Sequence, residues 1–202
     1  MFLYLLLSML CATLLAQQPV QDYYSFSPTV GSGSGTSFMT KGIGRITAVR
    51  VWEQTGSYIT GIQFRYDHIW TNLVGRNVGE PQEIMLHSGE KIIQVSGKYY
   101  SVNYIYQLIF VTSTGRTLIC GQPTQVMIIA TVCFFLHYIH LHSPMLTFDA
   151  VLQGSFNFYP IYPEAELRLL SGRSNGVGIT ALGAHWGLLN INDTNMSKSM
   201  PA

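Results

Sequence analysis

The chain is poor in charge. Asp, Glu, Lys and Arg make up 10% of its 202 residues, and 11 basic side chains nearly cancel 10 acidic ones. A formal net charge of +1 excludes the dense phosphate neutralisation on which a dedicated nucleic-acid binder depends. Cysteine is scarce as well. Cys11 lies in an N-terminal apolar run and only Cys120 and Cys133 follow, so there is no disulfide framework and no Cys/His zinc spacing. A single Cys120–Cys133 bridge stays open, with no spacing rule to support it. A Walker phosphate loop and an H-E-x-x-H zinc motif are missing, and the one G-x-S-x-G match, Gly172–Gly176, lies in a glycine loop between two strand-like runs rather than at a strand-to-helix elbow. The 10 acidic residues include no pair that stands out as a two-carboxylate glycosidase site. These absences point away from an enzyme and away from any cofactor. His87 and His185 stand in strand-like contexts and read as structural. Glu83 and Glu90 read as capping or solvent-facing.

What is plentiful is aromatic and glycine: 12 Tyr, 10 Phe and 19 Gly, with no long amphipathic helical pattern. That profile predicts an all-β domain rich in tight turns. The N-terminus, MFLYLLLSMLCATLLA, is an apolar run shorter than the roughly 20 residues a transmembrane helix needs. It ends in small residues and meets polar Gln17-Gln18-Pro19, although its first residues lack Lys or Arg. Residues 1–16 are therefore expected to be a signal peptide, and the protein to be secreted. A domain over 17–190 and a polar tail over 191–202 follow. Asn192-Asp193-Thr194 and Asn195-Met196-Ser197 in that stretch are glycosylation sequons.

The domain reads as strand, turn, strand. Arg45–Trp52 and Tyr58–Tyr66 alternate apolar and polar residues with period two, as half-buried strands do. Glu83–Glu90 and Ile92–Tyr99 carry the pattern E-I-x-L-H-x-G-E-x-I-x-x-V-x-G-K-Y, and Gln107–Arg116 is a strand closing on a glycine turn. A glycine-rich stretch, Val30-Gly31-Ser32-Gly33-Ser34-Gly35-Thr36, precedes the first strand. Another, Ser171-Gly172-Arg173-Ser174-Asn175-Gly176-Val177-Gly178-Ile179-Thr180-Ala181-Leu182-Gly183-Ala184-His185-Trp186, closes the domain. Glycine loops expose backbone N–H groups at little steric cost and suit an oxygen-rich ligand.

These segments together resemble jacalin-type lectins, specifically the animal zymogen granule protein branch, over about Gly31 to Trp186. The resemblance implies a β-prism of three Greek-key-like antiparallel sheets and glycan binding by loops at one end of the prism. Carried over by position, the carbohydrate-binding candidates are Gly33, Ser34, Gly35, Lys98, Tyr99, Tyr100, Gly176, Val177, Gly178 and Thr180. The backbone N–H groups of Val177 and Gly178 would meet sugar oxygens, and Tyr99 or Tyr100 would flank the ring. The family places an acidic residue where Thr180 stands, and a carboxylate accepts hydrogen bonds roughly twice as strong as a neutral group does. The closing loop is also one residue longer than the family's usual form. Implied partners are glycans on mucins, proteoglycans or microbial surfaces, reached by secretion or from a secretory-granule lumen. A basic patch for sulfated glycans would draw on Lys41, Arg45, Lys98 and Arg173. A lectin fold that has lost sugar binding and acts through protein contacts is the alternative.

One segment interrupts the resemblance. Val126–Gln153, VMIIATVCFFLHYIHLHSPMLTFDAVLQ, is far more apolar than its surroundings and falls where the family needs only a short turn. His137, His140 and His142 make it a poor membrane span, and no single regular element presents all three to a metal. Gln125-Val126 and Leu152-Gln153-Gly154 are encodable as splice-donor and splice-acceptor boundaries, so the expectation is a retained in-frame intron or an insertion.

Overall fold

The computed structural model describes residues 24–121 and 153–188. The expected signal peptide, Cys133, the three histidines of the apolar segment and the two sequons lie outside the described residues. Among the described residues the strands, in chain order, begin with β1 (Tyr24–Phe26), β2 (Val30–Gly31), β3 (Thr36–Met39), β4 (Ile46–Glu53) and β5 (Ile59–Tyr66). They continue with β6 (Ile69–Trp70), β7 (Val74–Gly75), β8 (Gln82–Met85), β9 (Ile92–Tyr100) and β10 (Ile105–Thr112). The last are β11 (Thr117–Cys120), β12 (Gln153–Phe158), β13 (Glu166–Ser174) and β14 (Ile179–Gly187). No helix occurs among the described residues.

Every pairing is antiparallel, and the strands form three sheets. The first runs β1-β14-β13-β3, with β2 also on β14; the second runs β11-β10-β9-β12; the third runs β6-β5-β4-β8, with β7 also on β5. The expected β-prism is thus the observed architecture. The first described strands share a sheet with the last described ones, which brings the two ends of the described domain together.

Period-two alternation in the sequence becomes alternation of burial. In β10, Ile105, Leu108 and Phe110 are fully buried while Gln107 and Ile109 between them are partly exposed. One core is common to all three sheets: Ile62 and Phe64 from the third, Leu108 and Phe110 from the second, Leu170, Leu182 and Trp186 from the first. Each such side chain contributes about 1.5–3 kcal/mol when withdrawn from water. Trp186, fully buried, donates its indole N–H to Ser27 Oγ at 3.1 Å, so the largest core ring is also satisfied.

Glu90 corrects a solvent-facing expectation. It does cap a turn, accepting the His87 N–H at 2.7 Å, but it does so from inside the domain. Its side chain is 0% exposed and also accepts Thr114 Oγ1–H at 2.6 Å and Arg116 Nη1–H at 2.8 Å. Burial alone would raise its pKa; hydrogen bonds from His87, Thr112 and Thr114 and the Arg116 charge outweigh that and hold it at about 2. Glu83 does face solvent, paired with Arg50. His87 lies in the exposed turn rather than in a strand.

Candidate functional site

Three glycine-bearing or polar loops meet at one end of the prism because the sheets that carry them end there. They are 32–35 between β2 and β3, 101–104 between β9 and β10, and 175–178 between β13 and β14. Side chains tie each to the next. Ser32 Oγ–H donates to Asn103 O at 2.7 Å, Asn175 Nδ2–H donates to Tyr104 Oη at 3.2 Å, and Thr180 Oγ1–H donates to Ser34 O at 2.5 Å. Backbone contacts reinforce the joint, with Ser32 N–H on Thr180 O at 2.9 Å. Gly35 is required by the approach: its φ is +90°, and a Cβ there would lie 2.3 Å from Ser174 O.

The closing loop is organised by Asn175. Its Oδ1 accepts the N–H groups of Val177 at 3.0 Å and Gly178 at 3.1 Å, while its own N–H reaches Gly178 O at 3.3 Å. Two arginines brace the same region from either side. Arg76 Nε–H donates to Val177 O at 3.1 Å, and Arg173 Nη1–H donates to Gly35 O at 2.6 Å. A fourth element joins from the β4–β5 hairpin. Tyr58 stacks on Tyr104 with centroids 4.2 Å apart and planes 19° from parallel, and Tyr106 meets Tyr58 edge-on at 6.3 Å. Gly178 is where this stack touches the loop, since a Cβ there would fall 2.8 Å from Tyr58 Cδ2.

The candidates read from the sequence divide on this geometry. Gly33, Ser34, Gly35, Gly176, Val177 and Gly178 are brought together on the two glycine loops. Gly33, Ser34 and Gly35 are exposed, and their amides make no turn or loop backbone hydrogen bond among the described residues. The amides of Val177 and Gly178, expected to meet a ligand, are already taken by Asn175. Thr180 is brought to the site but points inward: it is 0% exposed, and its hydroxyl is shared between Ser34 O and Arg173 O at 3.1 Å. It ties loops together and presents no surface to solvent.

Lys98, Tyr99 and Tyr100 lead up to the 101–104 loop along β9, and of the three Tyr100 adjoins that loop, with its N–H on Tyr104 O at 3.0 Å. Lys98 sits mid-strand between Gln107 and Ser155, and the Tyr99 ring covers Gly154 and lies 6.3 Å from Phe156. Tyr100 is buried edge-on against Tyr106 at 4.9 Å, one ring behind the Tyr58 stack. The loop that reaches the site lies a few residues on, and its contacts come from Asn103 and Tyr104. Those two, with Tyr58, Arg76 and Asn175, are the residues that sequence reasoning missed. The signal available was the unpaired polar stretch Ser101–Tyr104 between two alternating strands. The four residues of the expected basic patch do not gather either: Arg45 is engaged by Glu166 at 2.5 Å, whereas Lys98 is on the second sheet.

The assembled surface offers neutral hydrogen-bonding groups and an aromatic stack. Burial raises the Tyr106 hydroxyl above its ordinary value, keeping it neutral at physiological pH. No Asp or Glu stands in any of the three loops. His185 has both ring nitrogens engaged, by Ser171 Oγ at 2.8 Å and Tyr24 Oη at 2.6 Å, and burial lowers its pKa. Among the described residues no group of three His, Cys, Asp or Glu is arranged to hold a metal, and no helix is long and apolar enough to cross a membrane.

Comparison with known proteins gives a consistent answer. Residues 27–133 match the model of the jacalin-like lectin domain, a match that stops inside the apolar segment. Zymogen granule membrane protein 16 of Rattus norvegicus is 38% identical over 184 residues, covering 90% of this chain and 91% of that protein. The Homo sapiens protein of the same name is 36% identical over the same coverage. Among solved structures, a prostate-specific WGA16 glycoprotein lectin superposes with a TM-score of 0.59 at 24% identity, covering 82% of this chain and 100% of that one.

Proposed function

From a chain that belongs to the jacalin-like lectin family, we propose a secreted, non-enzymatic protein that binds mannose-type or related glycans at the joint of its three loops. The observation that carries the reading is the cross-tying of 32–35, 101–104 and 175–178 by Ser32, Tyr104, Asn175 and Thr180. Such ties preorganise a surface before ligand arrives, which reduces the ordering cost of binding. The amides of Gly33 to Gly35 supply donors, Asn175 and Tyr104 supply side-chain donors and acceptors, and the Tyr58–Tyr104 stack supplies an apolar edge for C–H surface. The relatives' name, zymogen granule membrane protein 16, supports association with a secretory granule; passage through its lumen and glycans of mucins, proteoglycans or microbial surfaces as partners belong to the same proposal.

The second reading, a lectin fold acting through protein contacts, is favoured by one feature. Thr180 is buried and the loops carry no carboxylate, so the site lacks a charge-assisted acceptor. A glycan array with the mature chain, repeated with Tyr104→Phe and Asn175→Ala, separates the two. Removing one hydrogen bond of about 0.5–1.5 kcal/mol weakens binding roughly 2- to 10-fold. Binding that both substitutions reduce supports the glycan reading. An array on which no glycan is retained supports the protein-contact reading.

A further inference from the structure

The closing loop holds the chain's one Asn–Gly dipeptide, Asn175–Gly176, and both residues are exposed. We propose that this dipeptide is a site of spontaneous deamidation, and that the folded loop is arranged to promote it. Deamidation needs the backbone nitrogen of residue 176 to attack Cγ of residue 175. The hydrogen bonds from Val177 and Gly178 to Asn175 Oδ1 fold that side chain forward along its own following peptide. The same two donors withdraw electron density from Cγ, as oxyanion-hole donors do at an acyl carbon. Gly176 adds no obstruction: where its Cβ would stand there is nothing within 4 Å. Its N–H points to Ser174 Oγ at 3.4 Å, an oxygen placed to accept the departing proton. Nδ2 is within 3.2 Å of the Tyr104 hydroxyl, which can supply a proton to the leaving nitrogen.

The step balances without any oxidant or reductant. A bond forms between Gly176 N and Asn175 Cγ, and the N–H proton passes by Ser174 Oγ to solvent. The Cγ–Nδ2 bond then breaks, and the nitrogen leaves as ammonia with a proton from Tyr104, which water restores. The resulting succinimide takes up water at either carbonyl, opening to aspartate or to isoaspartate. Aspartate keeps an oxygen for the two amides and adds a negative charge to loops that have none. Isoaspartate lengthens the main chain by a methylene and displaces the cap on Val177 and Gly178. The loop therefore ages into acidic forms with altered ligand preference.

The test is chemical and needs no glycan, so its outcome is independent of the lectin reading. The folded chain is incubated in mildly alkaline buffer beside a urea-unfolded sample, then cut with trypsin, which cleaves after Arg173. Mass spectrometry and isoaspartate-specific methylation locate the product. Expected is conversion of Asn175 in the folded chain at least as fast as in urea, and well ahead of Asn72, Asn77, Asn103 and Asn157, each followed by a bulky residue. Ser174→Ala, which keeps the backbone pairing, is expected to slow it. Retention of Asn175 in the folded chain while it converts in urea would overturn the proposal, as would a native rate no faster than that of Asn77 or Asn103.

Discussion

Thr180→Val is the sharpest probe of how this site is built. Valine has nearly the shape of threonine, so the substitution removes a hydroxyl with little change in packing. That hydroxyl is fully buried and lies 2.5 Å from Ser34 O and 3.1 Å from Arg173 O. Its loss leaves the Ser34 carbonyl without its side-chain donor where the 32–35 loop meets β14. The Ser34 carbonyl belongs to an exposed residue that water can reach, so the loss is that of an ordinary hydrogen bond, about 0.5–1.5 kcal/mol. At about 1 kcal/mol, a domain of this size loses about 2–4 °C in Tm. Differential scanning calorimetry gives that number, and hydrogen exchange resolves the local part. Faster exchange at the amides of Ser32 to Gly35 is expected, with core amides such as Leu108 changed only by the global loss. Thr180→Ser keeps the hydroxyl and should keep the loop protected. A Thr180→Val protein with unchanged Tm and unchanged exchange in the loop would refute the tying role.

Three further outcomes are expected. Glu90→Gln removes a buried charge that accepts from His87, Thr114 and Arg116, and should destabilise the domain by about 3 kcal/mol. Because the folded carboxylate sits at about 2, below its ordinary 4.5, its contribution is present above pH 4.5 and is lost as pH falls toward 2; acid denaturation of the variant should lack that component. Burial, with Glu53 nearby, pushes the Cys120 thiol up to about 12, so iodoacetamide should leave it unmodified in the native chain at neutral pH and label it in urea. Finally, β11 and β12 lie at opposite edges of one sheet, three interstrand spacings apart, or about 14 Å. With Val126–Gln153 deleted, Gly121 joins Gly154 through residues 122–125, five peptide steps that reach about 17 Å. The deleted chain should fold with a cooperative thermal transition, and loss of that transition would show that the segment is part of the fold.

The strands were legible because alternation is local: Arg45–Trp52, Tyr58–Tyr66 and Gln107–Thr112 each carry their own period. Their grouping into three sheets was legible only through resemblance, since pairing β1 with β14 joins residues at opposite ends of the domain. The two glycine loops were found because glycine marks them. Lys98–Tyr100 stop just short of the loop whose side chains reach the joint, because continued alternation hides where β9 ends and the loop begins. Tyr58 was missed for a different reason: its role depends on Tyr104 stacking across from another sheet. Thr180 is marked by the glycine loop beside it, but its inward direction is not, because that depends on how closely the Ser34 carbonyl approaches. Glu90 is paired while buried because Arg116 returns to it from the turn between β10 and β11, two strands later, which no local pattern announces.

An NMR titration of the isotope-labelled mature chain with methyl α-mannoside decides whether glycan binds at the joint of the three loops. Glycan binding there gives saturable shifts confined to the amides of Gly33 to Gly35, Asn103, Tyr104 and Asn175 to Gly178. A titration that moves none of these amides, or that moves those on the outer faces of the sheets instead, would contradict it.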